Sequence, residues 1–163
     1  MGTATAATGY QTITYNASVY TTGTVLYGAC WNDYAEYRES DGKPGQVVVE
    51  DGSGKLNVST KRLQPGAEVV SDTFGFIIGE TETAKCPIAV TGRVLAYPAE
   101  DLKKYKPGAA VCSGPNGTVS IMSRREIRKY PDRIIGYVSE IPTYEYWGEN
   151  NICVNGRIWI RIR

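Results

Sequence analysis

Short apolar runs broken by Gly, Pro, Asn and Asp make up most of this 163-residue chain. Rich in Val, Ile and Tyr, they predict strands over residues 46–50, 55–60, 68–70, 74–80, 88–97, 109–113, 118–122, 133–140 and 152–162. Their even spacing predicts a mainly β fold, a compact barrel or sandwich with one or two short helices. A repeat runs through it. Pro44-Gly45 leads to Val48, Gly54, Leu56 and Val58, and Pro107-Gly108 leads at the same offsets to Val111, Gly117, Val119 and Ile121. Each copy reads as a turn, a strand, a glycine turn and a returning strand. Ser123-Arg124-Arg125-Glu126 is a capping box that predicts a helix, stopped by Pro131.

Residues 2–32 carry no charge and show period-two alternation at Thr12-Ile13-Thr14-Tyr15. Two readings of them stand: an extended β stalk whose strands pack against copies of themselves, or a Thr/Gly-rich linker. Charges begin at Asp33, which sets the predicted boundary between a segment 1–32 and a globular unit 33–163.

Eighteen Lys and Arg against 17 Asp and Glu give a formal charge of +1, and no basic run tracks a phosphate backbone, so nucleic acid is not an expected partner. No apolar run reaches the ~20 residues that span a bilayer. Cys30, Cys86, Cys112 and Cys153 are far apart, with no C-x-x-C pair, and are expected as buried free thiols. Histidine is absent. Ser-His-Asp and Cys-His catalysis and His-containing zinc sites are thereby excluded, and no metal is expected.

Catalysis is left to carboxylates, hydroxyls, thiols, lysines, amides or the backbone, and "CWNDYAEYRE" at Cys30–Glu39 sets carboxylates beside an amide. Asp33 and Glu36 have the spacing of a second capping box, which predicts a helical turn through Glu39. On such a turn the two carboxylates share a face; on a strand they face opposite ways, and joint action needs another chain. The Asn32-Asp33 bond is open to two routes of self-cleavage. The Asn32 side-chain amide can cyclise onto its own carbonyl, or a carboxylate can serve as base for water or as acid for the departing amine.

The chain from about Gly28 to Arg163 resembles the C-terminal intramolecular-chaperone, self-cleaving domains of phage neck-appendage and tail-spike proteins, including prophage relatives. The residues that carry the resemblance are "YGACWNDYAEYRE" at Tyr27–Glu39, "RLQPGAEVVSDTFGFIIGET" at Arg62–Thr81, "PIAVTGRVLAYP" at Pro87–Pro98, "KPGAAVCSGPNGTVS" at Lys106–Ser120, "RIIGYVSEIPTYE" at Arg133–Glu145 and "VNGRIWIRIR" at Val154–Arg163. The resemblance implies a homotrimer that helps an upstream spike segment of the same chain find register, then cuts Asn32-Asp33 and leaves. Asp33 and Glu36 would be the catalytic carboxylates. Some relatives carry Ser before the cut, which favours carboxylate-assisted cleavage, while Asn32 keeps cyclisation open. Arg38 is a candidate to polarise the scissile carbonyl. Cleavage would need no cofactor; Lys103, Lys104, Lys106, Arg124, Arg125 and Arg128 read by default as solvated faces, and a nucleotide-linked release step in relatives leaves a phosphate site among them open. The setting implied is the bacterial host cytoplasm during phage assembly, with the released domain left out of the mature virion.

The alternatives are a non-catalytic trimeric tip that binds a cell-surface glycan, or an inactive relic that still trimerises. Tyr144, Tyr146 and Trp147 form a glycan platform on the first of these and a subunit interface otherwise. "GPNG" at Gly114–Gly117 lacks the Lys-Ser/Thr ending of a phosphate loop and reads as a hairpin turn.

Overall fold

A computed structural model describes residues 33–148 and 150–163. Asn32, Cys30 and the predicted stalk lie outside the described residues. Within them the chain forms strands β1 (Asp33–Arg38), β2 (Val47–Glu50), β3 (Leu56–Val58), β4 (Ala67–Val70), β5 (Phe74–Ile78), β6 (Cys86–Ala96), β7 (Ala110–Ser113), β8 (Val119–Ile121), β9 (Gly136–Glu140), β10 (Tyr146–Trp147), β11 (Ile152–Cys153) and β12 (Ile158–Ile162), and helix α1 (Arg124–Lys129). Ten strands make one sheet in the order β3-β2-β4-β6-β12-β9-β7-β8, with β1 paired to both β6 and β5; β10 and β11 form a small ribbon. The fold is mainly β, a sheet curled into a half-barrel. Its two ends meet where the Gly117 N–H donates to the Ser59 carbonyl at 2.9 Å.

The repeat survives as register. Val48 opposite Val58 recurs as Val111 opposite Ile121, and Glu50 opposite Leu56 as Ser113 opposite Val119. Val47 opposite Val69 likewise recurs as Ala110 opposite Tyr137. The two copies turn opposite faces to the shared core. Val47, Val69 and Ala89 from the first join Val111, Val138 and Ile160 from the second, around Val94, Tyr105 and Ile158. The first copy's other face buries Val48, Leu56, Val70 and Ile88; the second copy's buries Ala110, Cys112 and Met122 under α1. Apolar burial on both faces explains why β2 and β7 read as unbroken apolar runs and do not alternate.

β6 carries the fold across both halves. Gly92, at φ 104, lets it change partners: β1 lies along its first part and β12 along its second. Asp33 stands opposite Gly92 and Arg161 opposite Arg93, so the start of β1 and the end of β12 meet consecutive residues of one strand.

Three expectations are corrected. Residues 33–38 form a strand and no helical turn, because β5 and β6 satisfy the backbone from both sides and Ala35 is wholly buried between them. A capping box is a local preference, and two-sided pairing outweighs it. The expected strand 152–162 is broken after Cys153 by Asn155 and Gly156, both at positive φ, with the Arg157 N–H donating to the Val154 carbonyl at 2.9 Å. That is the Asn-Gly primed turn. Cys86 and Cys112 are buried free thiols, whereas the Cys153 thiol is free and exposed. The other local signals hold. Ser123 and Glu126 form the reciprocal capping box of α1, and "GPNG" is the β7–β8 hairpin turn.

Candidate functional site

Asp33 opens β1 with its side chain turned inward, 2% exposed. The turn between β4 and β5, Ser71-Asp72-Thr73, closes over it. The Thr73 hydroxyl donates to Asp33 Oδ1 at 2.8 Å. Thr73 is positioned by its own N–H, which donates to Ser71 Oγ at 3.0 Å, and the two hydroxyls lie 3.3 Å apart. The Ser71 N–H, given to the Pro87 carbonyl at 2.8 Å, ties the turn to β6. Ser71 and Thr73 are both buried. Asp33 Oδ2 is buried with no hydrogen-bond partner.

This environment favours the protonated form of the Asp33 carboxyl. Burial raises its pKa to about 6; the Thr73 hydrogen bond and the nearby Ser71 hydroxyl oppose the rise, and the nearby Asp72 charge adds to it. Asp72 is itself held by Arg157, which is 3% exposed and reaches both of its carboxylate oxygens, at 2.8 and 2.9 Å.

Glu36 sits on the exposed side of β1, roughly 10 Å along the strand from Asp33 at the usual rise per residue. Beside it, Arg38 bonds Glu50 at 2.7 Å and approaches Glu68 at 3.8 Å. Glu68 has its pKa raised by burial, with Arg38 lowering it and Glu50 and Glu36 raising it further. Glu36, Arg38 and Glu68 line a cleft of about 310 Å³ with Val90, Ile134 and Arg163. Arg38 is roughly 16 Å from the start of β1 along the strand, too far for its side chain to act on its own chain's Asn32-Asp33 bond. Within one chain, therefore, the structure keeps Asp33 and Glu36 apart and commits Arg38 to two glutamates.

Apolar side chains also reach the surface near β1. Tyr34 stacks on Phe76 with centroids 5.1 Å apart, and Phe76, Ile78 and Val90 are exposed. Among the described residues β5 pairs only with β1, leaving its other edge open.

The aromatic loop is mostly committed inward. Tyr144 accepts from Trp159 Nε1–H at 2.8 Å and donates to Glu140 at 2.9 Å, and Trp147 meets Trp159 edge-on at 5.0 Å. Tyr146 alone of the three is broadly exposed, at 59%.

Ser71 and Thr73 are the site residues that sequence reasoning missed. "SDT" between two apolar runs carries the ordinary signature of a turn, and nothing local connects it to a carboxylate 40 residues earlier. Among the described residues no group of three or more His, Cys, Asp or Glu is arranged to hold a metal ion, and no helix is long and apolar enough to cross a membrane. Compared with protein-family models, curated proteins and solved structures, the chain matches none.

Proposed function

We propose that this chain is a self-cleaving intramolecular chaperone domain that associates as a trimer, helps the segment before Asp33 into register and then hydrolyses the Asn32-Asp33 bond. The observation that carries this reading is Asp33, buried at the first position after that bond with its pKa near 6. A carboxyl half-protonated at about pH 6 keeps a share of its acid form at neutral pH and can serve as a general acid there. Its proton reaches its own backbone nitrogen through a six-membered ring, so no other residue is needed to protonate the departing amine. Water adds to the Asn32 carbonyl and gives a proton to a base, the C–N bond breaks, and the Asp33 nitrogen leaves with the proton from its own side chain.

Glu36 is the base in this scheme, and its exposure on β1, about 10 Å along the strand from Asp33, supports its acting on a neighbouring copy's bond. The exposed apolar side chains of Ile78 and Val90 beside β1 support such an association. Self-cleavage would then wait for assembly, and removal of the helper would make the registered product kinetically trapped. The glycan-tip alternative draws less support, because Tyr144 and Trp147 pack against Trp159 and only Tyr146 of the three is broadly exposed.

Intact mass of the full chain under denaturing conditions tests the reading. The wild type should yield fragments ending at Asn32 and beginning at Asp33, and Asp33→Ala and Glu36→Ala should stay whole. Mixing the two variants should restore cleavage of the Glu36→Ala chains, whose scissile bond and Asp33 are intact. A verified trimer that remains whole after long incubation overturns the reading. A short fragment ending in succinimide transfers the chemistry to Asn32.

A further inference from the structure

Only one of the two Asp33 carboxylate oxygens is engaged. Oδ1 accepts the Thr73 hydroxyl at 2.8 Å, and Oδ2 is buried without a partner. Ser71 Oγ accepts the Thr73 N–H at 3.0 Å, so its own proton is free to be given to Thr73 Oγ1 across 3.3 Å. That leaves the Thr73 proton directed at Oδ1. An oxygen that accepts a hydrogen bond is the poorer site for the acid proton, because a proton there would oppose the donor.

We propose that Thr73, backed by Ser71, is a positioning residue that commits Asp33 Oδ1 as acceptor and so places the acid proton on Oδ2, the oxygen left free to deliver it to the scissile nitrogen. The inference rests on the self-cleavage reading and adds two residues to it. Among the described residues the groups that face this carboxyl are few, and β5 places the uncharged Phe74 opposite Asp33. The β4–β5 turn brings Ser71, Thr73 and the charge of Asp72, which Arg157 holds in a two-point ion pair. β6 places the uncharged Thr91 and Gly92 opposite the start of β1. Thr73 is therefore the one residue among these whose side chain both touches the carboxyl and orients it.

The test is the rate of self-cleavage of the full chain against pH, followed by intact mass, for wild type, Thr73→Val, Thr73→Ser and Ser71→Ala. Valine keeps the shape of threonine and removes the hydroxyl. Thr73→Val should slow cleavage about tenfold or more and move the midpoint of the pH profile upward, since losing a hydrogen bond to the charged form disfavours it. Thr73→Ser should recover most of the rate and the original midpoint, and Ser71→Ala should fall between. A merely structural role would lower the yield of folded protein without moving the midpoint. The Asp33 carboxyl titration, read by carbon-13 NMR in the non-cleaving Glu36→Ala chain with and without Thr73→Val, gives a second reading independent of turnover. If the wild type cleaves and Thr73→Val matches it in rate and midpoint, the inference fails while the self-cleavage reading stands. If the wild type never cleaves, the reading fails, and an unshifted carboxyl titration in Thr73→Val then removes the inference as well. Should Thr73→Val not fold, Ser71→Ala decides by the same criteria.

Discussion

Replacing Asp33 by Asn should change how stability depends on pH. The Asp33 pKa rises from 3.8 to about 6 on folding, chiefly through burial. A shift of this size corresponds to about 3 kcal/mol, at 1.36 kcal/mol per pH unit. Below about pH 4 both the folded and unfolded chains hold the neutral acid, and Asp33 costs nothing. Between about pH 4 and 6 the unfolded chain releases its proton first, so stability falls as pH rises. Above about pH 6 the folded chain must bury a charged carboxylate, and the whole cost of about 3 kcal/mol is present. Asparagine stays neutral throughout. Urea unfolding followed by the fluorescence of buried Trp159, from pH 3 to 8, should show the wild type losing about 3 kcal/mol relative to Asp33→Asn. All other titrations cancel in the difference. In thermal terms the gap is roughly 6–12 °C for a chain of this size. Mass checks before and after each point exclude cleavage during the measurement. The reference level of Asp33→Asn is immaterial, because its amide replaces Oδ2 with a donor at a constant cost. Parallel curves for the two proteins would refute the claim that this carboxyl is desolvated and with it the account of Asp33 as an acid near neutrality.

Further consequences lie elsewhere in the fold. Gly136→Ala should prevent the β9–β12 pairing, because a Cβ there would lie 2.1 Å from the Arg161 carbonyl oxygen, and circular dichroism should show loss of cooperative unfolding. Asp72→Ala should cost about 3 kcal/mol in urea unfolding, since it strands a buried Arg157 that otherwise makes a two-point ion pair. Tyr144→Phe should cost about 1–3 kcal/mol by leaving the Trp159 N–H without its acceptor, and should alter Trp159 emission. Ser123→Ala should cost about 1 kcal/mol through the α1 cap alone, without affecting the β1 site.

Local chemistry made much of this fold legible in the sequence. Strand positions followed from apolar runs and from the residues that stop them, and both hairpins of the repeat keep the register that their matched glycines imply. The α1 cap and the "GPNG" turn are formed within a few residues, so their sequence signals sufficed. The Asn155-Gly156 turn was equally local and was there to be read inside the run 152–162. The absence of histidine likewise restricted the available chemistry before any fold was known.

β1 is where sequence and tertiary structure part. "DYAEYR" holds a capping-box spacing together with β-favouring tyrosines, and its conformation was decided by β5 and β6, which lie far along the chain and supply hydrogen bonds on both sides. That outcome separates Asp33 from Glu36, one inside and one outside. The same pairing brings Thr73 to Asp33 across 40 residues and buries the carboxyl that the proposed chemistry needs. Residue type placed a carboxylate next to the Asn32-Asp33 bond. Its protonation depends on desolvation, and desolvation is a property of the packed sheet that no local pattern of residues encodes.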